Sequence, residues 1–190
     1  MKISSLIRTL AIAALVAGSG IANAALIYNV NLSVGSGSAT GTITTDGTFG
    51  VLSGANILDW NILLDGNPGG LFTLLGPGSG NNSAVAVVGS NLVGSAADLT
   101  FDFGAATGYT LFQNPTTGSS INYLCFAAQL CGNFSHAINL GTNVFGVNTN
   151  PQEGVAVVAT AATSVPEPAT LALIGFAMLG ILLVRRRQKV

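Results

Sequence analysis

No lysine or arginine lies between Arg8 and Arg185. The bases Lys2, Arg8, Arg185, Arg186, Arg187 and Lys189 all sit at the two ends, and the long middle carries only acids: Asp46, Asp59, Asp65, Asp98, Asp102 and Glu153. A body without a cation has no P-loop and no Schiff-base lysine. It lacks the cationic clamp of phosphoryl transfer. No nucleic-acid partner is expected, because Lys and Arg neutralising phosphates supply most of that affinity. Charge is scarce altogether, 7% of 190 residues, which excludes charge-driven disorder and the Glu/Lys/Arg-rich coiled coil. Histidine occurs once and cysteine twice, too few ligands for a Cys/His zinc site. No serine occupies a Gly-x-Ser-x-Gly elbow. Sustained 3.6-residue periodicity is absent from the middle, so no amphipathic helix is expected there.

The ends, by contrast, read as addresses. Lys2 and Arg8 precede an apolar run from Leu10 to Ala17, and Ala22-Asn23-Ala24 supplies the small-x-small pattern that a signal peptidase accepts. Residues 1–24 are therefore expected to be a secretory signal peptide, cut after Ala24. At the other end, Pro166, Glu167 and Pro168 form a stiff polar break, and residues 169–184 are apolar except for Thr170. As a helix that run spans about 24 Å, short of a hydrocarbon core of roughly 30 Å, a mismatch that snorkelling and bilayer thinning accommodate. The basic segment 185–190, with Arg185, Arg186 and Arg187, would hold that end on the cytoplasmic side.

In order and spacing, the Pro166-Glu167-Pro168 motif, the following helix and the Arg185–Arg187 cluster resemble the PEP-CTERM family of bacterial surface proteins. The resemblance covers the last 25 or so residues. It implies a sorting signal read by a membrane transpeptidase, an exosortase, in a Gram-negative bacterium that makes exopolysaccharide. It implies that the helix anchors the protein until the tail is processed, after which the protein belongs to the cell surface or extracellular matrix. The stretch from Ala39 through Thr45, Asp46 and Gly47 to Asp59 and Trp60 is also similar, more loosely, to an ectodomain that recurs among such proteins. That likeness implies a folded domain and names no ligand.

Between the addresses, residues 25–160 match one domain in size, with 161–168 as linker. Leu26, Tyr28, Val30, Leu32 and Val34 alternate with polar residues, as do Leu58, Trp60, Ile62 and Leu64, and Leu99, Phe101 and Phe103. Each series reads as a strand with one buried face. Further strands are expected near 71–75, 84–88, 109–112, 121–126, 137–140 and 155–160. Asp46-Gly47, between Thr45 and Thr48, is a two-residue hairpin signal. Nine or so short strands with Gly- and Asn-rich turns point to an all-β domain, a β-sandwich or jelly roll. The small residues from Ala159 to Ser164 read as a stalk.

Few residues are left to carry chemistry. Cys125 and Cys131 in an exported chain are expected to pair as a disulfide, clipping a hairpin at Gln129–Leu130. His136 alone is a poor catalytic centre, and no catalytic residue is assigned. The acids have no base to pair with, so each stays in water, accepts hydrogen bonds or binds a cation. Asp98, Asp102, Asp59 and Asp65 are weak calcium candidates; the first two share a strand face about 13 Å apart and cannot chelate one ion alone. Calcium is the sole cofactor entertained. Trp60 belongs in the core by its alternation. Three functions stand in this order: a non-catalytic exported surface or matrix protein associated with exopolysaccharide; a lectin-like carbohydrate-binding module, with or without calcium; and a secreted glycoside hydrolase using two of the acids.

Overall fold

The computed structural model describes residues 24–105, 107–115, 121–131, 134–147 and 154–162, without the side chains of 128–130 and 147. The expected signal peptide up to residue 23, the Pro-Glu-Pro motif, the membrane helix and the basic tail lie outside these residues. Among the described residues no helix is long and apolar enough to cross a membrane.

Two antiparallel sheets pack face to face, as the alternation requires. The larger holds, in spatial order, β3 (Gly50–Val51), β7 (Leu92–Gly94), β8 (Asp98–Asp102), β13 (Val155–Ala161), β1 (Leu26–Val34), β2 (Gly37–Thr45), β4 (Ile57–Asp65) and β5 (Leu71–Leu75). The smaller holds β12 (Asn143–Val147), β11 (Phe134–Leu140), β10 (Asn122–Cys131), β9 (Tyr109–Asn114) and β6 (Ala84–Val88). The only other regular element described is a short 3₁₀ turn at Gly54–Asn56. The fold is a β-sandwich, as the strand pattern implies.

Register explains the core. In the smaller sheet Val85, Phe112, Leu124, Ile138 and Phe145 form one inward row across all five strands. The larger sheet answers with Tyr28, Ile43 and Trp60, and with Val30, Ile62 and Leu74. Each large apolar side chain buried this way contributes about 1.5–3 kcal/mol. Gly41 completes the second row between Val30 and Ile62. Its φ is +143°, and a Cβ there would collide with the Asn61 carbonyl oxygen. Only glycine lets β2 and β4 approach at that point.

The structure corrects four local expectations. Asp46-Gly47 is a turn but not a hairpin: β2 pairs with β1 and β4, while β3 lies at the far edge of the sheet beside β7. Gly47 has the expected positive φ of 80°, and the Asp46 carboxylate accepts the Thr48 amide at 2.9 Å. The chain then crosses to the far edge of the sheet instead of returning along β2. Leu58 is exposed and Ile57 buried, because the β2–β4 register shifts at Thr44/Thr45 and moves one residue to the other face. Ala159–Ala161 are not stalk but the end of β13, and even the Ala162 amide donates to the Ile27 carbonyl at 2.7 Å. Gln129–Leu130 is not a hairpin turn: β10 runs through it to Cys131, which pairs with Phe134 of β11.

Candidate functional site

Cys125 and Cys131 are bonded, with Cα atoms 5.8 Å apart. Both lie in β10, so the disulfide joins two residues of one strand. Six residues of extended strand would span about 20 Å; the strand must buckle. It does so where the register to β11 jumps from Phe126–His136 to Cys131–Phe134, which leaves extra residues on β10. The bridge cinches this bulge against a small satellite cluster of Cys125, Ala127, Cys131 and Ala137, with Tyr109, Leu111, Tyr123 and Phe134 around it. Burial pushes the Tyr123 phenol up from its ordinary pKa. Closing so short a loop stabilises by roughly 2–2.5 kcal/mol in the chain-entropy model. Replacing both cysteines with alanine should lower unfolding free energy by about 2 kcal/mol, read as a lower urea midpoint. Native protein without reductant should take up no alkylating reagent.

With no cation nearby, the acids are held by turns. Asp46 accepts from Thr48 and from the Asn56 amide at 3.0 Å; those bonds, the Thr48 backbone first, hold its carboxyl below the usual range. Asp59 accepts the Gly78 amide at 3.0 Å and the Ser79 hydroxyl at 2.5 Å, pinning the 76–82 loop to β4. Asp65 accepts the Asn67 amide, Asp102 the Gly104 amide and Asp98 the Ser95 hydroxyl. The calcium candidates are not gathered. Asp98 and Asp102 occupy opposite ends of β8, and Asp59 and Asp65 lie six residues apart along β4. β8 and β4 are four strand spacings apart, about 19 Å. Among the described residues no group of three or more His, Cys, Asp or Glu side chains comes within reach of one ion.

His136 faces inward on β11, its ring 4.3 Å from Phe103 and 5.5 Å from Phe126. Its Nε2 is buried without a hydrogen-bond partner among the described residues. Desolvation lowers its pKa from 6.5 to about 4, so at neutral pH it is an uncharged aromatic filler. Trp60 is buried, edge-on to Phe112 at 5.5 Å, and donates its Nε1 proton to the Ser83 hydroxyl at 2.8 Å. Core placement is the sequence expectation, and a buried indole is out of reach for stacking on a sugar.

Two features escape the sequence reading. The Asn82 side chain acts as an added strand on the free edge of β5, accepting from the Leu75 amide at 2.8 Å and donating to the Thr73 carbonyl at 2.9 Å. It blocks the pairing that a bare edge of leucines invites. In the sequence, Gly76 to Asn82 reads as a turn cluster, and nothing there marks Asn82 as an edge cover. The second feature is the outer face of the larger sheet. Asp98, Thr160, Asn29, Thr42, Asn61 and Leu75 form one row across six strands, with Asn31 and Thr40 in the next. Asn29, Asn31 and Asn61 are exposed, so the centre of this face is an uncharged array of amides and hydroxyls.

The described body is thus a β-sandwich with an intrastrand disulfide, and it ends at Ala162. The family model for the PEP-CTERM protein-sorting motif matches residues 164–187. The chain therefore carries a PEP-CTERM protein-sorting motif, which implies export to the surface and processing by an exosortase-type enzyme. No curated protein and no solved structure matches it.

Proposed function

We propose that the protein is a non-catalytic component of the cell surface or extracellular matrix, released from its membrane helix by the exosortase-type enzyme and associated with exopolysaccharide. The observation that carries this reading is the sorting motif, which begins two residues after Ala162, the last described residue. The state of the titratable groups supports a role without catalysis: the described acids hold turns, and His136 is uncharged among phenylalanines. A glycosidase needs two carboxylates facing one bond across about 5–9.5 Å, whereas the β8 pair lies about 13 Å apart and the β4 pair about 20 Å apart along their strands.

A second reading, a carbohydrate-binding module, is favoured by the Asn29–Thr42–Asn61 row. Uncharged donors and acceptors on a flat face suit a hydroxyl-rich chain better than a charged ligand.

The two halves of the proposal have separate tests. The intact mass of the mature protein should lack Leu171–Val190; a surface-located protein that retains this segment would overturn processing. Calorimetry of the mature protein with the producer's own exopolysaccharide should show saturable binding, unchanged by chelator if the amide row acts alone. Heat indistinguishable from dilution, with and without calcium, would remove the polysaccharide from the proposal.

A further inference from the structure

The chain leaves the sandwich at one end, and that end has little leash. Ala161 donates its amide to the Ala97 carbonyl and Ala162 donates to Ile27, both at 2.7 Å, so the backbone is fixed up to Ala162. The sorting motif starts at residue 164. From Ala162 to Pro166 is four residues, at most about 14 Å of extended chain, and to the apolar run at Ala169 seven, at most about 25 Å. The nine residues of β1 alone span about 30 Å. An enzyme working at the Pro-Glu-Pro segment therefore meets the folded body, and this end of it is always the nearest. Mature residues begin here as well, since β1 starts at Leu26 antiparallel to β13.

The surface around the exit is unlike the amide face beside it. Ile27 and Leu58 are each 47% exposed. They sit on the rim of the larger sheet, because Ile27 pairs with Thr44 and Thr44 with Asp59, next to Leu58. Asp46, Asp59 and Asp98 lie at the same end, with Asp98 opposite Thr160 of β13. Exposed aliphatic side chains flanked by carboxylates thus lie at the end of the body nearest the sorting motif.

We propose that this exit rim, Ile27 and Leu58 framed by Asp46, Asp59 and Asp98, docks on the exported face of the membrane-embedded processing enzyme and positions the motif for cleavage. The complementary surface on the enzyme is apolar with basic surroundings. The inference rests on the sorting reading above and extends it from the tail to the body.

The experiment follows precursor and mature forms of the full chain in producing cells by pulse-chase. One variant inserts ten Gly/Ser residues between Ala162 and Thr163. Another replaces both rim residues, Ile27→Lys and Leu58→Lys, outward positions that leave the core intact. Val157→Lys, on the outer face toward the opposite end of β13, is the control. The expected result is at least a five-fold slower conversion for the insertion and for the rim variant, with the control at the wild-type rate. Conversion at the wild-type rate in both, or faster conversion with the longer leash, overturns the docking surface while leaving sorting intact. A wild-type chain that is never converted overturns the sorting reading and this one together. Should the rim variant lack the wild-type sheet spectrum, the insertion, which touches no strand, decides alone.

Discussion

A chain ending at Gly154 is expected to have no cooperative fold, whereas one ending at Ala162 keeps the whole sandwich. β13 is an interior strand, with β8 on one side and β1 on the other. It alone joins β3, β7 and β8 to the β1–β2–β4–β5 half of the larger sheet. Its removal exposes two internal edges and empties the core positions of Val158 and Ala159. Losing one buried valine by itself costs a few kcal/mol. Losing the strand also strips its ladder of partners on both sides, which together with the valine is a loss comparable to the roughly 5–15 kcal/mol that holds a domain together. Far-UV circular dichroism and urea unfolding of residues 25–154 and 25–162 check this; a cooperative transition in the shorter chain would refute it. Among the described residues the larger sheet thus closes on β13, shortly before the sorting motif, and that sheet is complete only once this strand is in place.

Strand positions are legible where a sequence segment carries its own instruction. β1, β5 and β6 fall where the alternation and the apolar runs put them, because each has at least five residues of its own pattern. β3, β7 and β12 are not legible. Two or three residues such as Gly50–Val51 or Leu92–Gly94 have no period to read and become strands only because a neighbour offers an edge. The order of strands is equally hidden. Nothing local says that β13 inserts between β8 and β1, or that the chain after Asp46 crosses to the far edge instead of turning back. Leu58 shows the same limit at a single residue: a register shift decided by β2 turns it outward, against its own hydrophobicity.

Of the candidate site, composition reveals the part that depends on what is missing. A body with acids and no bases must satisfy carboxylates with amides and hydroxyls, and Asp46, Asp59, Asp65, Asp98 and Asp102 do so. The cysteine pairing is legible from number and compartment; the buckle in β10 that it holds is not, since it depends on where β11 pairs. The exit rim cannot be read from sequence at all. Ile27 and Leu58 are 31 residues apart in the chain and meet at one end only through the β1–β2–β4 register.

Acid is expected to destabilise the domain through His136, by about 2–3 kcal/mol between pH 7 and pH 4. Burial among Phe103 and Phe126 lowers its pKa from 6.5 to about 4, and each unit of such a shift corresponds to about 1.4 kcal/mol, discounted here for the part of the ring that remains solvated. The sign follows from proton uptake. As pH falls below 6.5 the unfolded chain takes up a proton that the folded chain refuses, so the unfolded state gains. Stability is therefore full above pH 6.5, declines through the window down to about 4, and stops changing on this account once the folded form is protonated too. The lowered Asp46 carboxyl acts in the same direction at lower pH, since its hydrogen bonds from Thr48 and Asn56 are lost on protonation. His136→Leu separates the two. It keeps an apolar side chain of similar bulk against the phenylalanines and removes the titration, so its urea midpoint should stay nearly level from about pH 7 to 4.5 where the wild-type midpoint falls. Parallel curves for the two proteins would mean that His136 is protonated in the folded state, and that the aromatic wedge is wetter than its geometry implies.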